Sequence, residues 1–128
     1  MSESRRKVYS CPVDVALDVL GGKWTIHVLW FLSQGVQRFG QLRKSIPGIT
    51  QKVLTRELRA LEGHGVVKRR AYAQVPPRVE YSITAYGRTL DPLLEAMCEW
   101  GLAHARRRAL PIREWEDEKD LPAASSAV

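Results

Sequence analysis

The sequence predicts a mainly α-helical fold with one small β-hairpin, an α+β arrangement. Three observations point to it. Apolar residues recur at helical spacing in five stretches, the region from 66 to 83 reads as two short strands, and Gly-Gly or Pro-Gly pairs punctuate the boundaries.

Residues 1–10 are polar and basic, with Arg5, Arg6 and Lys7, and read as a flexible arm. Pro12 suits a first helical position, where its missing N–H would be unsatisfied in any case. Val13, Ala16, Leu17 and Leu20 then follow helical spacing, and Gly21-Gly22 ends that helix. A second helix is expected from Lys23 to Leu32. It is apolar on nearly every side (Trp24, Ile26, Val28, Leu29, Trp30, Phe31), the pattern of a helix buried at the centre of a fold.

Gln34-Gly35 turns the chain into a short helix from Arg38 to Ser45, with Phe39 and Leu42 inward. Pro47-Gly48 makes the next turn. Thr50 can cap a helix that runs to Glu62 and stops at Gly63 or Gly65. Leu54, Leu58 and Leu61 form its apolar side, while Lys52, Arg56 and Arg59, with Thr55 beside them, form a stripe opposite. Two helices joined by a tight turn, the second basic on its outer face, make a helix-turn-helix arrangement.

Val66 to Ala73 and Arg78 to Ile83 read as two strands. Val79, Tyr81 and Ile83 alternate with Glu80 and Ser82, as one buried face requires. Pro76-Pro77 cannot donate ladder hydrogen bonds and marks the hairpin tip. Arg69, Arg70 and Arg78 flank that tip, giving a charged wing directly after the cationic helix.

Thr84 can cap a last long helix reaching about Arg107. Tyr86, Leu90, Leu93, Met97 and Trp100 repeat with 4-3-4-3 spacing, the period of a seam between two helices. Either this stripe packs within the chain or it meets a partner. A domain this small already has helices enough for its own core, so a partner explains it better, and homodimers are the commonest case. From Pro111 onward the chain turns acidic and then small and polar, which reads as a disordered tail. The expected division is an arm over 1–10, one domain over 11–107 and an acidic tail over 108–128.

Charge is unevenly placed. Arg38 to Glu80 holds ten of the chain's twenty Lys and Arg but three of its fourteen carboxylates, a net +7 within a chain total of +6. A helix apolar on one side and cationic on the other, in an otherwise balanced protein, is what a phosphate backbone selects for. The longest apolar run, Val28 to Leu32, is far too short to cross a bilayer, and no secretory signal follows the basic start; a cytoplasmic location is expected. Cys11 and Cys98 are too few for a disulfide scaffold. His27, His64 and His104 show no ligand spacing with either cysteine, so neither metal nor other cofactor is expected.

A set of motifs adds a resemblance. Cys11-Pro12, Gly21-Gly22-Lys23-Trp24, Pro47-Gly48-Ile49 followed by Lys52-Val53-Leu54-Thr55, Val75-Pro76-Pro77-Arg78-Val79-Glu80-Tyr81 and Thr84-Ala85-Tyr86-Gly87 together resemble the HxlR-type bacterial transcriptional regulators over about residues 9 to 104. The resemblance implies a winged helix-turn-helix homodimer, joined through its first and last helices and bound to operator DNA. Val13 and Leu17 would then join Leu90, Leu93, Met97 and Trp100 at the dimer interface. Some members of that family sense electrophiles or oxidants through a cysteine just before the first helix, which the resemblance places at Cys11.

By either route the helix starting at Thr50 is expected in a major groove. Gln51, Lys52, Thr55 and Arg56 belong near base edges or the phosphates beside them, since Lys and Arg can donate to guanine and Gln can pair with adenine. Arg59 is expected on a phosphate, and Arg70 and Arg78 on the backbone or adjacent minor groove. Arg38, at the start of the preceding helix, and Thr50 complete the expected contact set. Two-fold symmetry predicts an inverted-repeat operator with half-sites ~34 Å apart or a multiple of that.

Cys11 stays open between two readings. A thiol at a helix N-terminus near Arg5, Arg6 and Lys7 is favoured as thiolate against its reference pKa of ~8.5, and thiolates react with oxidants and electrophiles. It could equally be a small apolar residue against a partner helix. Cys98, beside the seam, reads as core. Catalysis is not expected: Gly21-Gly22-Lys23 is only loosely similar to a P-loop, with Leu17 at its first glycine position and Trp24 at its Ser/Thr position. The competing reading is a winged helix that binds protein rather than DNA, without a sensing role.

Overall fold

The computed structural model describes residues 8–112. Arg5, Arg6 and Lys7, and the chain from 113 onward that carries the acidic tail, lie outside the described residues.

Helix α1 spans Pro12–Leu20, with Pro12 in its first turn as expected and Asp14 beside the positive end of its dipole. Its packing on the rest of the chain is slight. Only Leu20 is buried, while Val13, Val15 and Leu17 stand exposed.

Helix α2, Thr25–Ser33, starts two residues later than expected. Val28, Leu29 and Leu32 are fully buried and form the centre of the core. The helix lies at the centre of the core as expected, but its burial is not complete: Ile26, Trp30 and Phe31 are half-buried and His27 is exposed. One face of α2 instead looks into an open groove of about 470 Å³, whose opposite wall is the last helix. The apolar composition of α2 thus serves two surfaces, one of which the described residues leave open.

The next segment departs from the helix expected over Arg38 to Ser45. Gln37 and Arg38 are extended and form a strand, β1 (Gln37–Arg38), so helix α3 covers Phe39–Ser45. The backbone N–H of Arg38 donates to Gln41 Oε1 at 2.9 Å, which ties off the start of α3. Helix α4 spans Gln51–Gly63, and the Thr50 hydroxyl accepts from the Val53 N–H at 3.1 Å, the N-cap read from sequence.

Strands β2 (Val67–Tyr72) and β3 (Arg78–Ile83) form the hairpin. The sheet has three strands rather than two, all antiparallel, in the order β1-β3-β2. Val67 lies opposite Ile83 and Ala71 opposite Val79, so Val67, Val79, Tyr81 and Ile83 face the core. Arg70 and Arg38 both lie opposite Glu80, on the outer face.

The last helix is also corrected. A single helix from Thr84 to Arg107 is replaced by a 3-10 turn, Gly87–Leu90, followed by α5, Asp91–Arg108. Pro92 supplies the reason: it has no N–H for the ladder, and its ring would strike the Arg88 carbonyl in a continuous helix. Thr84 still caps this junction, accepting from the Gly87 N–H at 2.9 Å and donating to the Gly65 carbonyl at 2.6 Å. The break removes Leu90 from the expected seam, since it packs against the core. Tyr86, Leu93, Met97 and Trp100 remain exposed, which rules out the packing of this stripe within the described chain.

Candidate nucleic-acid interface

The basic face is presented by α4, and the core fixes its orientation. Leu54, Leu58 and Leu61 are each at most 1% exposed, packed with Val28, Leu29, Leu32, Leu42 and Ile46. Burying each such leucine contributes about 1.5–3 kcal/mol, enough that α4 cannot rotate about its axis without large loss. Gln51, Lys52, Arg56 and Arg59 are consequently exposed on the far side. With Thr55 they line one open depression on the surface. The Thr55 hydroxyl donates to the Gln51 carbonyl at 2.8 Å, so towards a ligand it acts as an acceptor.

The turn before α4 is built by a contact between two sequence motifs. Gly48 has φ +88°, a left-handed conformation that favours glycine, and the Trp24 ring lies where a Cβ on Gly48 would approach to 3.6 Å. Beside it, the Thr25 hydroxyl donates to Glu57 Oε1 at 2.9 Å, joining the start of α2 to the middle of α4. A Cβ on Gly22 would come within 2.5 Å of the Thr25 hydroxyl, so only glycine leaves that bond undisturbed. The Gly-Gly-Lys-Trp segment thus sets the position of the cationic helix. Sequence reasoning passes over Thr25 and Glu57, although one carboxylate amid Lys52, Arg56 and Arg59 is a usable signal.

In the wing, Arg70 is exposed whereas Arg78 is only partly so. The Arg78 guanidinium lies 4.0 Å from the centre of the Tyr72 ring and that of Arg70 lies 4.9 Å from it. Tyr72 Oη donates to Glu80 Oε1 at 2.9 Å, and Arg78 Nε lies 3.6 Å from Glu80 Oε2. Arg78 is therefore held within the wing rather than extended freely from its tip. Arg38 reaches the same outer face from the other sheet edge, opposite Glu80. The structure thus gathers Gln51, Lys52, Thr55, Arg56 and Arg59 on α4, and Arg38, Arg70 and Arg78 around one carboxylate on the sheet.

Cys11 is exposed at the N-terminus of α1, on another element altogether. In the same turn the Ser10 hydroxyl donates to Asp14 Oδ2 at 2.5 Å. Cys98, expected in the core, is half-buried in the wall of the groove between α2 and α5. Among the described residues no three His, Cys, Asp or Glu side chains group as a metal would require. No single described helix is long and apolar enough to cross a membrane.

The family model for the HxlR-like helix-turn-helix matches residues 19–109. The chain belongs to this HxlR-like family. Similar relatives include two uncharacterized HTH-type transcriptional regulators of Bacillus subtilis. YdeP is 52% identical over 91 residues, covering 71% of each chain. YtcD is 45% identical over 102 residues, covering 80% of this chain and 81% of its own. Among solved structures, the redox regulator HypR in its reduced form superposes with TM-score 0.71 at 48% identity, covering 75% of this chain and 94% of its own. The reduced form of the transcriptional regulator YodB from B. subtilis gives TM-score 0.63 at 31% identity, covering 72% and 91%. The HxlR-like match spans α2 to α5, so it includes the helix-turn-helix, the wing and the uncovered face of α5.

Proposed function

We propose that this HxlR-like protein is a sequence-specific, double-stranded DNA-binding transcriptional regulator that acts in the cytoplasm as a homodimer on an inverted-repeat operator. The observation that carries the reading is the outer face of α4. Lys52, Arg56 and Arg59 stand exposed in one stripe directly opposite three leucines at most 1% exposed. Such a face enters a major groove with its first turns against base edges, while cations further along meet phosphates. Gln51, Lys52, Thr55 and Arg56 take the first role and Arg59 the second. Thr50 caps the helix at the same end, with Arg38, Arg70 and Arg78 on the flanking backbone. A protein-binding winged helix would not require this cationic stripe.

Dimerisation through α1 and α5 is supported by apolar side chains left uncovered on both: Val13 and Leu17 on one, Leu93, Met97 and Trp100 on the other. Several large apolar side chains exposed on two helices favour association there. The test of DNA binding is charge reversal. Lys52→Glu with Arg56→Glu should abolish gel retention of an operator selected from genomic fragments, and unchanged retention overturns the reading.

A second element concerns control. Cys11 is exposed beside the proposed interface, and HypR and YodB are relatives of known structure, the former a redox regulator. Modification of Cys11 by an oxidant or electrophile would alter how the two α1 helices meet, and so the spacing of the two α4 helices. Operator affinity should then change on peroxide or quinone treatment of the wild type and not of Cys11→Ser. Equal responses of the two proteins refute the role of Cys11.

A further inference from the structure

We infer that Glu80, aided by Tyr72, is a positioning residue that holds Arg78 and Arg70 as a preformed clamp for one phosphate of the duplex. The inference rests on the DNA-binding reading above and gives the wing a definite task within it.

The wing is otherwise basic, and a carboxylate in a surface meant for DNA ought to weaken binding. Yet Glu80 lies on the central strand of the sheet, flanked by Arg38 on one neighbouring strand and Arg70 on the other. Side chains directly opposite one another in an antiparallel sheet share a face, so these three and the next pair, Tyr72 and Arg78, form one outer cluster.

Within that cluster both carboxylate oxygens are engaged. Oε1 accepts from the Tyr72 hydroxyl at 2.9 Å, and Oε2 lies 3.6 Å from Arg78 Nε. Arg78 is further fixed by its guanidinium resting 4.0 Å from the Tyr72 ring centre, and Arg70 approaches the same ring at 4.9 Å. Arg78 Nε is buried and makes no hydrogen bond among the described residues, while the side chain as a whole keeps 29% exposure. The side chain thus keeps exposed surface while its Nε edge lies toward Glu80. Arg78 is thus held against Glu80 and Tyr72 before any ligand arrives, with Arg70 resting near the same ring. A guanidinium fixed in this way presents its remaining N–H donors as a fork suited to phosphate oxygens. Preorganisation of this kind strengthens binding by removing an ordering cost that would otherwise fall at the moment of association.

The inference makes a prediction opposite in sign to simple charge counting. Glu80→Gln raises the net charge of the surface by one, so a solvated carboxylate with no positioning role would give tighter DNA binding on removal. A positioning role gives the reverse. The measurement is operator affinity as a function of salt for wild type, Glu80→Gln, Tyr72→Phe and the Lys52→Glu, Arg56→Glu pair, with thermal melts recorded on each. The expected result is roughly 5–10-fold weaker binding for Glu80→Gln and a shallower log–log salt slope, by about 0.9 for one phosphate no longer neutralised. Tyr72→Phe, which keeps the ring and removes only the hydroxyl, should move both quantities the same way by less, and it serves alone if Glu80→Gln does not fold. Tighter or unchanged binding, or weaker binding at an unchanged slope, overturns the clamp. Should the α4 pair also bind as the wild type does, the DNA reading itself fails, and the two failures are thereby told apart.

Discussion

The Thr25 hydroxyl and Glu57 Oε1 meet at 2.9 Å across 32 residues of sequence, one at the first residue of α2 and the other midway along α4. Thr25 is 3% exposed and Glu57 half-buried, so the bond is partly shielded from water. It is a polar link between the central helix and the helix that presents the cationic face.

Removing that link should be measurable in both stability and binding. Thr25→Ala is expected to lower unfolding stability by about 1–3 kcal/mol, because it leaves the Glu57 carboxylate without its buried donor. Operator affinity should fall beyond what the stability loss explains if the bond also sets the pitch of α4. Urea midpoints and fluorescence-polarisation titrations, taken together, separate the two effects.

Gly22 offers a steric test of the same contact. A Cβ there would stand 2.5 Å from the Thr25 hydroxyl and 3.5 Å from Glu57 Oε1. Gly22→Ala must push the hydroxyl aside, at a cost of about 1–3 kcal/mol. Combined with Thr25→Ala the costs should be less than additive, and a double-mutant cycle in denaturant would reveal additivity if they act separately.

Gly87 and Gly63 should respond in opposite directions to the same change. A Cβ on Gly87 would lie 2.2 Å from the Val66 carbonyl oxygen, a backbone atom that cannot swing away, so Gly87→Ala is expected to cost about 1–3 kcal/mol or more. Gly63 ends α4 with nothing within 4 Å of such a Cβ. Gly63→Ala should therefore stabilise by about 0.4–1 kcal/mol through the unfolded chain. Thermal melts of the two variants against wild type decide it, and equal shifts would show that the junction at Gly87 is loosely packed.

The uncovered stripe on α5 makes a prediction about assembly alone. Met97 is 47% exposed within the single chain, so Met97→Asp should leave the helical circular dichroism spectrum intact. Sedimentation equilibrium should show a monomer in place of a dimer, with operator affinity reduced accordingly. A dimer that survives the substitution would place the contact elsewhere.

The cap at Thr50 is legible in the sequence itself, and it has a defined worth. Thr50→Ala should destabilise by about 0.5–2 kcal/mol, and Thr50→Asp should recover most of that, since either side chain can accept the Val53 N–H. Chemical denaturation of the two variants checks the order.

Much of this architecture is written in local pattern. Leu54, Leu58 and Leu61 against Lys52, Arg56 and Arg59 fixes a two-faced helix by spacing alone, and Thr50 and Pro47-Gly48 fix where it begins. Val79, Tyr81 and Ile83 do the same for β3, whose bounds the alternation yields correctly. These are cases in which each residue's neighbours within a turn or a strand decide its environment.

Other features depend on residues distant in sequence, and there local pattern stops short. Gln37 and Arg38 become a strand only because β3 presents a free edge to them; two residues have no periodicity of their own. The last helix starts only at Asp91 because of Pro92, a local signal that the apolar stripe running through it obscures. The half-burial of Ile26, Trp30 and Phe31 could not be read from α2 by itself, since composition states that a face is apolar but not what covers it. Likewise the sequence by itself determined that a basic wing directly follows a basic helix along the chain. Only the tertiary structure decided that Glu80 lies between Arg38 and Arg70, and that Thr25 holds Glu57, because pairing across strands and helices is fixed by how the packed layers align.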